Sequence, residues 1–348
     1  MKKTAVVICP GRGTYNKAEL GYLSRHHPDK AALFAGFEAL RAAGGRESLM
    51  ALDGARTYSL ARHSRGDNAS VLIYASTYAD FLSIDPEQVE VVAVTGNSMG
   101  WYSALACAGA LSAKDGFHVV DTMGALMQEA LIGGQLIYPF VGDDWRDDPA
   151  KKAELLALVD QIDARPGHVL AVSIDLGGML VLAGDEAGLA AFEAAVPPVQ
   201  ERFPMRLANH AAFHTALQAP VAEAGRARLG CEMFGQPVLP MIDGRGEIWQ
   251  PGAVDVEALW RYTLDHQVVR TYDFTRAVRT AAREFAPDLF IVTGPGTTLG
   301  GAVAQSLILC DWRGMATKAD FARTQEADPL LVSMGMEGQR ATVTAARA

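Results

Sequence analysis

Apolar and polar positions alternate along this chain in two rhythms. Residues 5–9 form an unbroken apolar run that stops at Pro10, which predicts a buried strand followed by the loop Pro10-Gly11-Arg12-Gly13-Thr14. Helical spacing then dominates to about residue 82. A second short, mostly apolar run, residues 91–95, enters Gly96-Asn97-Ser98-Met99-Gly100 and leaves it as an alanine-rich helical pattern. Residues 239–243 and 289–293 predict two more strands of the same kind. Short apolar strands separated by helices predict a parallel sheet covered on both faces, an α/β core.

Residues 134–208 carry an order of their own. Strand 136–141, helix 149–163, a hairpin of 169–174 and 179–183 around Leu176-Gly177-Gly178, helix 185–195 and strand 202–207 give βαββαβ. That is the order of a split-βαβ, ferredoxin-like unit. The expected organisation is a large hydrolase-like α/β domain over 1–133 and 209–325, an inserted ferredoxin-like subdomain over 134–208, and a cleft between them. From 326 to 348 small and polar residues predict a loosely held tail.

The junction at Ser98 carries the first chemical signal. A strand that turns at once into a helix passes through backbone angles that crowd Cβ atoms, and glycines flanking the turn residue relieve that crowding. The hydroxyl of Ser98 is then expected at the tip of a nucleophile elbow. The first amides of the following helix, beginning near Met99, lack helical partners and point toward any oxyanion formed on an attached acyl group.

Composition narrows the partners. With 348 residues, 49% of them hydrophobic, the chain can bury a large core. A formal charge of −9 argues against a nucleic-acid partner, and no basic run appears. The start MKKTAVVICPGRG has too short an apolar stretch for a secretory signal, and nothing approaches the length of a membrane span. Cys9, Cys107, Cys231 and Cys310 are scattered without metal-ligand spacing, which fits a reducing cytoplasm and predicts no zinc site. Asp143, Asp144, Asp147 and Asp148 beside Pro149 are expected to cap a helix rather than hold a metal. Neither Pro10-Gly11-Arg12-Gly13 nor Gly294-Pro295-Gly296 has the spacing of a dinucleotide or phosphate loop.

A serine hydroxyl needs a general base, and histidine is the default. Of the eight histidines, His26, His27 and His63 lie in polar stretches and are expected to face water, while His118, His168 and His266 adjoin element ends. His210 and His214, in Asn209-His210-Ala211-Ala212-Phe213-His214-Thr215, remain as candidates, and the local sequence does not choose between them.

The order Pro10-Gly11-Arg12-Gly13, Gly96-Asn97-Ser98-Met99-Gly100, Met127-Gln128-Glu129-Ala130, the βαββαβ insertion, Ala212-Phe213-His214-Thr215 and Gly294-Pro295-Gly296 resembles the malonyl-CoA:acyl carrier protein transacylase family, which includes polyketide-synthase acyltransferase domains. The resemblance spans nearly the whole chain. It implies that Ser98 accepts the acyl group, that His214 is the base, held by backbone carbonyls rather than by an acid, and that the amides of Arg12 and Met99 form the oxyanion hole. It further implies an acyl-CoA donor, an acyl carrier protein acceptor whose phosphopantetheine carries the product, and no cofactor of the enzyme's own.

Departures from the family pattern fall in the expected substrate pocket, assigned to Asn97, Trp101, Met123, Phe213 and Thr263. Asn97 and Trp101 stand where the family has histidine and glutamate. Met123 stands where malonyl-transferring members have the arginine that grips the malonyl carboxylate. Arg12 replaces a loop glutamine, a second glutamine aligns with Thr263 or Tyr262, and Ile174-Asp175 stands where an asparagine is expected. A methionine leaves a carboxylate desolvated and unpartnered at a cost of about several kcal/mol, so the resemblance predicts a neutral acyl group. Alternatives from the same residues are a malonyl transferase with Arg12 as the substitute cation, an acyl-thioester hydrolase, and a silent docking module.

Overall fold

The reason for the two flanking glycines is steric. A Cβ on Gly96 would lie 2.2 Å from the carbonyl of Gly100, and one on Gly100 would lie 2.1 Å from the Cys9 carbonyl oxygen. The elbow therefore packs backbone directly against the end of the neighbouring strand, and only glycine fits either position. Gly100→Ala is expected to lower stability by about 3 kcal/mol, read as a drop in thermal midpoint; an unshifted midpoint would mean that the elbow can open.

The computed structural model describes residues 2–345. In chain order it sets β1 (Lys3–Cys9), α1 (Gly66–Phe81), β2 (Val89–Gly96), α2 (Gly100–Cys107) and α3 (Ala113–Ala130). Next come β3 (Gly134–Pro139), α4 (Pro149–Asp163), β4 (Leu170–Leu176), β5 (Met179–Gly184), α5 (Glu186–Ala195) and β6 (Met205–Arg206). Strands β7 (Met241–Ile242) and β8 (Ile248–Trp249) precede α6, the helical run over 256–269. The chain continues through β9 (Tyr272–Asp273), α7 (Phe274–Phe285), β10 (Leu289–Val292), α8 (Leu299–Leu309) and β11 (Leu331–Ser333).

One sheet has six strands in the order β11-β10-β1-β2-β7-β8, parallel except for the β7–β8 pair. Residues Ala5, Val6, Val7, Ile8 and Cys9 of β1 are fully buried, as a strand covered on both faces requires. The loop after β1 and the elbow after β2 lie side by side at the carboxyl edge of this sheet, where open α/β sheets form their binding crevices. The second sheet has the order β6-β3-β5-β4-β9, antiparallel through its first four strands, which is the ferredoxin-like arrangement. Asp148 caps α4 by accepting from the Lys151 amide, and Asp185 caps α5 by accepting from the Gly188 amide.

Three expectations need correction. The expected strand 202–207 is only two residues long, because Pro204 follows Phe203 and removes a donor. The inserted unit is not closed on itself: β9, from beyond it in sequence, pairs in parallel with β4. The stretch from 326, expected as a loose tail, is tied down as far as it is described. β11 extends the main sheet, and the buried Arg340 guanidinium pairs with fully buried Asp80 at 2.6 Å. A small-residue composition conceals an anchor of this kind, since it depends on one arginine meeting one distant carboxylate. Residues 346–348 lie outside the described residues. Among the described residues no helix is long and apolar enough to cross a membrane.

Candidate active site

Ser98 stands alone at the turn with φ 55°, in the left-handed region that costs a non-glycine residue energy. The hydrogen bonds of the elbow hold it there: the Asn97 amide donates to the Cys9 carbonyl, and the Gly100 amide to the Asn97 carbonyl. Its Oγ lies 2.8 Å from Nε2 of His214. Of the two candidate histidines the tertiary structure thus brings His214 to the serine. His210 instead places Nδ1 2.8 Å from the Gln135 side chain.

What holds the imidazole is the end of α6. The last carbonyls of a helix have no partner within it, and here a π turn over Tyr262–His266 shifts the final turn. His214 satisfies two of these carbonyls: its amide donates to Val268 O at 3.0 Å, and Nδ1 donates to Gln267 O at 2.6 Å. A carbonyl can only accept, so the proton sits on Nδ1 and Nε2 presents its lone pair to the Ser98 hydroxyl. The negative end of the helix also favours the imidazolium formed when His214 takes a proton, a contribution of about 1–2 kcal/mol. Gln267 serves twice, since its side-chain amide donates to Ser98 O at 3.0 Å and its Oε1 accepts from the Tyr102 hydroxyl at 3.0 Å. No motif marked Gln267; only the tertiary structure shows that the helix ends against His214.

Burial pushes the His214 pKa down to about 4, against the opposing effect of the Gln267 carbonyl. The imidazole is therefore neutral at pH 7, the form that can accept a proton. Acyl loading as kcat/KM is expected to stay level from about pH 8 to 5 and to halve near the shifted value; an inflection between 6 and 7 would show a solvated imidazole instead. The unfolded chain protonates this histidine near 6.5 and the folded chain only near 4, so its contribution to stability declines as pH falls through that window.

Around the serine lies a tight cavity of about 20 Å³. Its walls include Arg12, Ser70, Val120, Met123, Met127 and Phe213, so the expected pocket residues Met123 and Phe213 do line it. Trp101 and Thr263 do not. Both are fully buried, the indole donating to Thr263 Oγ1 at 3.0 Å, and they form core beneath the site. Asn97 is also absent from the wall, with its Oδ1 buried and unpaired. Sequence position beside Ser98 misled here, because successive residues of a tight turn and helix point in different directions. Ser70, on α1, was missed: it reaches the cavity because Gly124 of α3 lets the two helices approach, a Cβ there lying 2.6 Å from Gly66 O. The amides of Arg12 and Met99 donate to no group among the described residues, which leaves both free for an oxyanion. No cluster of three or more His, Cys, Asp or Glu side chains among the described residues could hold a metal.

No protein-family model matches the chain. It is 29% identical over 240 residues to the malonyl CoA-acyl carrier protein transacylase of Haemophilus influenzae, a match covering 67% of this chain and 69% of that protein. It is 27% identical over 215 residues to the Escherichia coli protein of the same description, covering 60% of this chain and 63% of the other. The chain is thus similar in sequence to malonyl-CoA:acyl carrier protein transacylases. Its fold agrees: a malonyl-transacylase solved in complex with its type II polyketide-synthase acyl-carrier protein superposes with a TM-score of 0.74 at 21% identity, over 99% of both chains. Within this transacylase-like fold, the elbow, the imidazole and the cavity occupy one crevice at the sheet edge.

Proposed function

We infer that this protein moves an acyl group from a coenzyme A thioester to the pantetheine thiol of an acyl carrier protein through an acyl-Ser98 intermediate. The observation that carries this reading is the 2.8 Å contact between Ser98 Oγ and a His214 whose other nitrogen is tied to a backbone carbonyl. As Oγ bonds to the thioester carbonyl carbon, its proton passes to Nε2 of His214 and the carbonyl π electrons move onto oxygen. The Arg12 and Met99 amides stabilise that oxyanion, each contributing about 3 kcal/mol. When the oxyanion collapses, the C–S bond breaks and coenzyme A leaves with the proton from His214. The carrier thiol then gives its proton to His214, attacks the acyl-serine, and Ser98 departs with that proton.

The acyl group on this reading is short and neutral. Met123 is buried on the cavity wall and offers no donor. Arg12 is the one cationic side chain among the lining residues, yet a single nitrogen, Nη2, donates to both Ser64 O and Asn209 O at 2.9 Å. Both bidentate faces of a guanidinium share that nitrogen, so neither is free to fork onto a carboxylate.

Loading of Ser98 from a panel of acyl-CoAs, followed by intact-protein mass spectrometry, tests this. Acetyl- or butyryl-CoA is expected to load about tenfold or more faster than malonyl-CoA, as the loss of one charge-assisted pair implies. The acyl-enzyme should persist in buffer and discharge onto a carrier protein. Faster malonyl loading would overturn the neutral reading, and discharge to water at the same rate as to the carrier would favour a hydrolase.

A further inference from the structure

Arg12 contributes its backbone to the expected oxyanion hole, but its side chain is unusually placed for a loop cation. Nη2 bridges two main-chain carbonyls from separate parts of the chain: Ser64, just before α1, and Asn209, where the inserted unit returns to the main domain. The guanidinium also stands 5.5 Å from the centre of the Phe213 ring, next to His214. Asn209 reinforces the junction by donating from Nδ2 to Ser64 Oγ at 2.6 Å. Both Asn209 and His214 have positive φ, 57° and 59°, so the segment bearing the base holds a conformation it would not keep unaided. Among the described residues no carboxylate lies within ion-pair distance of Arg12, and Asp67 attracts it only from farther off. Its Nε is buried without an acceptor, and its pKa is lowered to about 10 by burial. A half-buried guanidinium whose hydrogen bonds all go to main-chain carbonyls is an expensive way to fill space.

Building on the acyl-serine reading above, we propose that the Arg12 side chain is a positioning residue: a strap that fixes the loop carrying its own oxyanion amide to the segment carrying His214. One guanidinium sets the distance between the two halves of the reaction centre, the amide that receives negative charge and the imidazole that takes the proton. The glutamine of the resembling family, with a shorter side chain and a single amide nitrogen, lacks the guanidinium's length and its five donors. The strap acts on the transition state and not on the acyl group, so its effect is the same for neutral and carboxylated substrates.

Arg12→Ala is expected to lower kcat about 100-fold with butyryl-CoA and malonyl-CoA alike, with KM for each changed less than threefold, the scale of a misplaced oxyanion donor. A rise in KM confined to malonyl-CoA would overturn the strap and make Arg12 a substrate cation. Arg12→Lys keeps the charge and loses the planar fork; it is expected to retain the wild-type melting temperature with kcat about tenfold down, and full kcat would overturn the proposal even if the alanine variant fails to fold. The rate at which a fluorophosphonate labels Ser98 gives a readout independent of acyl transfer. Should the wild type label but transfer nothing, the functional reading fails, while slower labelling of the two variants still supports the strap and equal labelling sinks it.

Discussion

Replacing Ser98 with alanine is expected to lower acyl loading by on the order of 100,000-fold and to abolish fluorophosphonate labelling. No other group lining the cavity is placed to attack a thioester. The Ser70 hydroxyl lines the cavity, but the His214 lone pair is aimed at Ser98. The four cysteines are free, and Cys9, Cys107 and Cys310 are buried, with burial raising the thiol pKa of Cys107 and Cys310. None lines the cavity. Removing one oxygen atom leaves the elbow glycines and the oxyanion amides in place, so the fold should survive with an unchanged melting temperature. Intact-mass spectra of the variant after incubation with acyl-CoA decide the matter: a residual acyl adduct at wild-type rate would show that the nucleophile lies elsewhere.

Met123→Arg is the second large effect. Met123 is 1% exposed on α3, with its Sδ against α-helical backbone at Gly225. An arginine there enters the same cavity with no anionic partner, and an uncompensated buried charge should destabilise the unliganded protein by about 3–5 kcal/mol. A bound malonyl carboxylate would supply the partner. The ratio of malonyl to butyryl loading is therefore expected to rise about 10- to 100-fold, the worth of a charge-assisted pair. Competition between the two thioesters, read by mass spectrometry, measures that ratio in one tube. An unchanged ratio in a variant that still labels at Ser98 would show that the α3 wall does not meet the acyl terminus.

These two residues mark how far the sequence could be read. The Ser98 elbow was legible because its requirements are local: an apolar run, a turn relieved by glycines and a helix start all fall within a few residues. The inserted unit was legible for a similar reason, since helix caps and apolar runs follow short-range rules, and the helix at Pro149–Asp163 begins and ends where the spacing placed it. Trp101 and Thr263 were not. Each adjoins or aligns with the site in sequence, yet their hydrogen bond to one another turns both into the core. Gln267 carried no signal at all, because its value lies in a carbonyl left over where a helix stops.

By itself, then, the chain's sequence determined the buried strands of the core, most of the inserted unit, a serine at a strained turn as candidate nucleophile, and two histidines as possible bases. Only the tertiary structure decided which imidazole reaches the hydroxyl, what holds it, which side chains face the cavity and how residues beyond 326 are anchored. The physical reason is range. Backbone preference and hydrophobic period act over a turn or a strand, whereas Ser98 and His214 are separated by 116 residues and meet only when two packed sheets and the end of α6 fix where each side chain can point.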